Sequence, residues 1–228
     1  MDLSVAPYDR DDDLIVGVRR GLGGQVRVAV GPAPMVVLGR GSRPERELRL
    51  DRCFADAVPV RRRRGGGCAV VLDPGNIIVS LVLAAEGFGN SGRYLGGASR
   101  WLIDGLARAG LPGVEQRGIC DLVLGQRKVG GACLYRARGL VYYSTTLLVD
   151  PRLDLITRYL CHPPREPDYR AGRAHVDFLG CLDPGGVGLP QLVARLRQVL
   201  QLRDAARLMV AAGAPVARSA VAPGCGPA

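Results

Sequence analysis

The sequence predicts an α+β fold, a sheet sandwich with helices on its flanks. Three observations carry that prediction. Runs rich in β-branched residues crowd the stretch from 26 to 149. Long helical spacing is confined to two segments, 93–109 and 189–212. The chain of 228 residues, 47% hydrophobic, is enough for one sizeable core of this class.

Each element has its own warrant. Val26 to Val30 and Met35 to Leu38 read as strands separated by the turn Gly31-Pro32-Ala33-Pro34. Val58 to Arg64 alternates weakly and runs into Gly65-Gly66-Gly67. Ala69 to Leu72 and Ile77 to Leu83 flank Asp73-Pro74-Gly75-Asn76, and the pair reads as a buried hairpin. Leu95, Ala98, Leu102, Leu106 and Ala109 lie on one helical face, stopped by Gly110 and Pro112. Asp121 to Leu124 and Lys128 to Leu134 form a second hairpin around Gly125-Gln126, and Leu140 to Val149 is a further strand. Leu153 to Leu160 is a short helix, and 165–173 is a polar loop. Pro190 opens a helix that runs to about Ala212. From Gly213 the Ala/Pro/Gly composition reads as a disordered tail. The expected layout is a domain over 1–182, a helical extension over 183–212 and a tail over 213–228.

Composition narrows the function classes. The net charge of +10 invites a nucleotide, a polyanion or an acidic protein partner. Aromatic residues, at 5%, are too few to favour stacking on single-stranded nucleic acid. The seven cysteines are odd in number and lack a Cys-x-x-Cys pair, which reads as reduced thiols in a cytoplasmic protein. Met1-Asp2-Leu3-Ser4 carries no signal-peptide pattern, and the longest apolar run, Ile77 to Ala85, is too short to span a membrane.

Two constellations carry chemistry. Arg61-Arg62-Arg63-Arg64-Gly65-Gly66-Gly67 joins bidentate cations to unobstructed backbone N–H groups, as an anion-binding loop requires. This loop is neither a Walker A loop nor a dinucleotide fingerprint, because no Gly-Lys-Ser/Thr follows it, its own glycines are not spaced as Gly-x-Gly-x-x-Gly, and a strand run and not a helix comes next. The second is Lys128, the only lysine in the chain. Asp121 precedes it by seven residues, and Gly130-Gly131-Ala132 follows. A lysine is a compact point charge that an arginine fork does not replace in a tight place.

Taken together, these segments resemble the catalytic domain of lipoate–protein ligases, in the biotin/lipoate ligase superfamily. The resemblance rests on Pro34 to Arg40, Arg62 to Gly67 with Asp73 to Asn76, Asp121-Leu122, Gly125 to Ala132, Thr146 to Val149 and Pro167 to His175. It covers 25–182. It implies a central, mostly antiparallel mixed β-sheet flanked by helices. It also implies conversion of lipoate and Mg2+-ATP into lipoyl-AMP, followed by transfer to a lysine of an acidic lipoyl carrier domain. Lys128 would stabilise charge in both half-reactions. Arg62, Arg63, Gly65, Gly66 and Gly67 would line the acyl and phosphate path. Gly130, Gly131 and Ala132 would let the adenylate approach the backbone, and Asn76 and Asp121 would sit near the nucleotide, Asp121 near its Mg2+. Arg40, Thr146, His175 and Cys120 are further candidates. Octanoate is an alternative acyl substrate. The accessory C-terminal domain of longer ligases has no counterpart, so either the last helix or a second polypeptide takes its place.

Two other readings stay open on sequence alone. An ATP-independent lipoyl or octanoyl transferase would use a cysteine thioester, with Cys120 and then Cys68 as candidates. A non-catalytic basic binding protein on the same fold would suit the charge. The second has less reason to keep the sole lysine in a Lys-x-Gly-Gly setting.

Overall fold

The computed structural model describes residues 4–85, 90–137 and 139–217. The chain opens with a short strand β1 (Ala6–Pro7), helix α1 (Asp12–Arg19) and strands β2 (Gln25–Val30) and β3 (Met35–Leu38). Short helices α2 (Pro44–Glu47) and α3 (Leu50–Ala55) lead to strands β4 (Val60–Arg62), β5 (Val70–Leu72) and β6 (Asn76–Ala84). Helix α4 (Ser91–Arg108) precedes a meander of β7 (Val114–Arg117), β8 (Asp121–Leu124), β9 (Arg127–Ala137) and β10 (Leu140–Leu148). Helices α5 (Leu153–Tyr159), α6 (His175–Phe178), α7 (Leu189–Val199) and α8 (Leu202–Ala211) complete the fold.

The strands form two sheets. The large one is antiparallel, in the order β2-β6-β10-β9-β8-β7. The small one runs β1-β4-β3-β5, with β4 parallel to both its neighbours. The α+β architecture with a mostly antiparallel sheet is therefore present.

One predicted hairpin is absent. Val70–Leu72 pairs with Met35–Val37 in the small sheet, whereas β6 pairs with β2 and β10 in the large one. Asp73 to Asn76 is a crossover between sheets. Its geometry is fixed locally: Gly75 N donates to Asp73 Oδ1 at 2.6 Å, and Asp73 N donates to Asn76 Oδ1 at 3.0 Å. Arg152 N, at 3.1 Å from Asp73 Oδ2, ties the turn to the end of β10. The physical reason is burial. All but the last residue of β6 is buried, and a strand that deep needs a partner on each edge. The hairpin around Gly125-Gln126 forms as expected.

Helix α4 lies on the outer face of the large sheet. Trp101, Leu102 and Leu106 share one core with Val79, Leu81, Tyr143 and Leu147. The predicted helix over 189–212 is broken into α7 and α8, because Leu200 and Gln201 leave helical geometry. Trp101 accounts for the break: its indole N–H donates to the carbonyl of Gln201 at 3.1 Å, and Leu200 is buried in the same core. Leu192, Leu196, Ala205 and Met209 join that core too. The tail expected from Gly213 is held over its first residues, since Ala214 is buried and Val216 bridges Ala85. Residues 218–228 of the expected tail lie outside the described residues. No helix among the described residues is long and apolar enough to cross a membrane.

Candidate active site

A cavity of about 270 Å³ lies between the two sheets. Strand alternation decides which side chains reach it. Gly131 opposes Thr146 and Cys133 opposes Ser144 in the β9–β10 register, and Thr146 opposes Ile78 in β6. These positions form the floor, while Val129, Tyr143 and Leu147 point into the core under α4. Val37 and Leu72 of the small sheet cluster with Ile78 on one wall, and Leu160 and Phe178 close another. The interior is mainly apolar and its mouth carries the charge.

Lys128 is at that mouth, and a β-bulge puts it there. Its separation from Gly131 is odd, so regular strand geometry would place the two on opposite faces. The β8–β9 register shifts between Leu122 and Val123, so Leu122 pairs with Gly130 and Val123 with Lys128. The shift reverses the parity. The Lys128 stem then lies over Gly131, where a Cβ would approach its Cε to 3.1 Å and its Nζ to 3.2 Å. At Gly130 the neighbour is fixed backbone: a Cβ there would come within 2.9 Å of the Thr146 carbonyl oxygen.

The ammonium is paired. Lys128 Nζ is 2.6 Å from Asp121 Oδ1, with side-chain exposures of 27% and 13%. The hydroxyl of Tyr169 donates to the other oxygen, Asp121 Oδ2, at 2.8 Å. Arg117 stacks over the Tyr169 ring at 5.2 Å, and Arg173 donates to the Tyr169 carbonyl at 2.8 Å. Burial and the bond to Asp121 push the Tyr169 hydroxyl well above its ordinary pKa, so it stays a proton donor.

The arginine–glycine loop is built differently from the anion clamp expected of it. Arg62 donates to the carbonyls of Gly39 and Ser42, both at 2.9 Å, and does not line the cavity. Arg63 does line it, but its Nη2 donates to Gly66 O at 2.7 Å and Cys68 O at 2.8 Å, curling the loop on itself. Arg64 pairs with Asp12 at 2.5 Å. Gly65 is needed for close approach, since a Cβ there would meet Cys133 Sγ at 2.7 Å. Gly67 has φ +92 and lines the cavity. Gly66 meets nothing within 4 Å of a built Cβ. The loop's far end is latched by buried Glu47, which accepts from Ala69 N at 2.6 Å and Ser42 Oγ at 3.0 Å.

The other expected residues divide. Gly130, Ala132 and Thr146 line the cavity with Lys128 and Asp121. Asn76 does not; it is wholly buried as a turn residue between the sheets. Arg40 is exposed and engages the loop only through its backbone, whose N–H donates to Gly65 O at 2.8 Å. His175 lines the cavity, but its Nε2 lies 3.1 Å from the carbonyl of Cys161, and burial pushes its pKa down. Facing a carbonyl oxygen, that nitrogen acts as a donor and is held by the backbone. Cys120 lines the cavity as well, and burial, followed by the adjacent Asp121 charge, pushes its thiol up. That environment disfavours a nucleophilic thiolate. Burial acts the same way on Cys133.

Among the described residues no three His, Cys, Asp or Glu side chains gather as a binding group. Asp121 is one carboxylate, already shared by Lys128 and Tyr169. That suits a Mg2+ carried by phosphates and contacted by a single carboxylate, and does not suit an all-protein cage.

Sequence reasoning missed Glu47, Tyr169 and Arg170. The last two lie in a polar segment with no periodicity; the resemblance included that segment, but only His175 was singled out from it.

Comparison with known proteins bears on the fold and the family. The Lipoyl protein ligase A/B catalytic domain matches residues 11–178. A lipoate–protein ligase of Streptococcus pyogenes is 32% identical over 128 residues, covering 56% of this chain and 37% of that protein. Lipoate-protein ligase A of Psychrobacter cryohalolentis is 26% identical over 125 residues, covering 55% and 35%. The chain thus matches about a third of the length of these curated relatives. Among solved structures, a bi-partite lipoate protein ligase from Thermoplasma acidophilum aligns with a TM-score of 0.68 at 17% identity, over 92% of this chain and 89% of that one. A lipoate-protein ligase A bound with ATP aligns with a TM-score of 0.59 at 21% identity, over 82% and 73%. A T. acidophilum ligase with bound lipoic acid also gives 0.59, at 19% identity, over 82% and 80%. The structural likenesses carry the fold, and the match over 11–178 carries the family: the chain belongs to the lipoyl protein ligase A/B catalytic domain family.

Proposed function

We propose that this chain activates lipoate with ATP and transfers the lipoyl group to a lysine of a lipoyl carrier domain. The observation that carries the reading is an apolar inter-sheet cavity with the sole lysine fixed at its mouth. The cavity takes the acyl chain and leaves the carboxylate beside Lys128. In the first half-reaction a carboxylate oxygen attacks the α-phosphorus of ATP, and the bond to pyrophosphate breaks. In the second the acceptor amine attacks the acyl carbon, the bond to AMP breaks, and the amine proton leaves to solvent. Both steps build negative charge on oxygens at the cavity mouth, where a fixed ammonium stabilises it. Lys128 serves that role, and Asp121 holds it in place between turnovers. Mg2+ accompanies the ATP phosphates and supplies charge neutralisation when bound. Octanoate fits the same apolar cavity as an alternative substrate.

The partner is an acidic carrier domain, attracted by the net charge of +10. The bi-partite make-up of the T. acidophilum relative supports a second, accessory chain. The test is lipoate-dependent ATP–pyrophosphate exchange. Lys128→Ala is expected to lower exchange by about 100- to 1,000-fold, on the scale of a lost charge-stabilising donor, with the fold retained. Near-normal exchange by that variant would sink the assignment.

A further inference from the structure

We propose that Arg170 is a substrate-binding residue, the guanidinium that receives the carboxylate of the acyl acid inside the cavity. The inference rests on the acyl-acid reading of that cavity and adds a residue to it.

Arg170 ends a 3-10 turn over Asp168–Arg170 and is only 4% exposed. Its side chain lines the same cavity as Lys128 and Asp121. Part of the guanidinium is occupied. Nε donates to Arg173 O at 3.0 Å and lies 3.4 Å from Glu166 Oε2, and the group stacks over Phe178 at 4.7 Å. Nη2 is different. It is shielded from solvent and has no hydrogen-bond partner among the described residues.

The charge around it is poorly balanced. Glu166 is shared: the same Oε2 is 2.8 Å from His162 Nε2, and Oε1 accepts from Gly172 N at 3.0 Å. Asp121 is engaged by Lys128 and Tyr169. Arg63 of the arginine–glycine loop, which also lines the cavity, is turned to carbonyl oxygens of its own loop. A buried cation with an unused donor is costly unless something completes it. A guanidinium remains charged under all working conditions, so the missing partner is an anion. In a cavity that is apolar inside and charged at one end, the anion with the right shape is the carboxylate of a medium-chain acid. Arg170 would then hold the acid while Lys128 meets the charge that develops on it.

The test compares two ligands that share a chain and differ in charge. Binding of lipoate and of lipoamide, its neutral amide, is measured by titration calorimetry on wild type and Arg170→Gln. Lipoate is expected to weaken by about 10- to 100-fold, the scale of a lost charge-assisted bond, and lipoamide by no more than about twofold. Equal weakening of both ligands would mark a purely structural residue and overturn the proposal, as would unchanged lipoate binding. If the wild type binds neither ligand, the acyl-cavity reading falls together with the proposal. Should Arg170→Gln fail to fold, the paired Glu166→Gln, Arg170→Gln variant removes both members of the ion pair, and the same lipoate-to-lipoamide ratio decides.

Discussion

The ammonium of Lys128 has a resident anion, Asp121 at 2.6 Å, so a substrate oxygen must compete with it. Tyr169 sets the terms of that competition. Its hydroxyl donates to the far oxygen of Asp121 and draws charge away from the Lys128 side. Removing the donor leaves Asp121 gripping Lys128 harder. Tyr169→Phe keeps the ring, and with it the Arg117 and Phe178 contacts. The expected outcome is a fall of about tenfold in kcat for adenylate formation, from roughly 1.4 kcal/mol of lost charge balance, with little change in KM for lipoate. Steady-state exchange kinetics check it; a rise in KM at constant kcat would place Tyr169 in binding instead. The sequence showed Lys128, Asp121 and their glycines because those types sit close together along the chain. It did not show Tyr169, because a contact between residues 48 apart leaves no periodic trace.

Elements were legible where local pattern and tertiary pairing agree. The strand runs, helix α4 and the Gly125-Gln126 hairpin follow from alternation, helical spacing and turn residues. Asp73 to Asn76 misled because a strong turn says that the chain reverses, not which sheet it reverses into. The break between α7 and α8 was hidden because the need of Trp101 for the Gln201 carbonyl is tertiary. One link between elements gives a pH test. Arg158 in α5 makes two hydrogen bonds to Asp56 at the end of α3, one of them at 2.7 Å, and they hold its carboxyl down at about 2. Free aspartate titrates near ~3.9, so the unfolded chain takes up this proton first as pH falls. The stabilisation is complete above ~4 and is lost through about 2. Both partners are solvent-accessible, so the effect is small. Between those pH values the melting temperature of wild type is expected to fall more steeply than that of Asp56→Asn; parallel slopes would show that the pair does not contribute.

At the scale of the molecule, charge and cavity separate two kinds of recognition. The net charge of +10 is a property of the surface, whereas the cavity is an enclosed space between sheets. Composition alone made the first legible. The second needed the two sheets, because its walls come from residues as distant as Val37 and Phe178. Salt distinguishes them. Long-range attraction between exposed charges is screened over about 8 Å at physiological ionic strength, and less so inside a partly buried site. Steered association with an acidic carrier domain should therefore weaken steeply with salt. Between 50 and 300 mM salt (roughly a 2.4-fold shortening of the screening length, which falls as the square root of ionic strength), KM for the carrier is expected to rise about tenfold or more. KM for lipoate should change by less than about twofold, because its partners in the cavity are a shielded arginine and a paired, part-buried lysine. Measuring both constants across one salt series checks the separation. Equal salt dependence would mean that the acyl acid is also recognised at the exposed surface, and that Arg170 and Lys128 act as part of a general basic field and not as a built site.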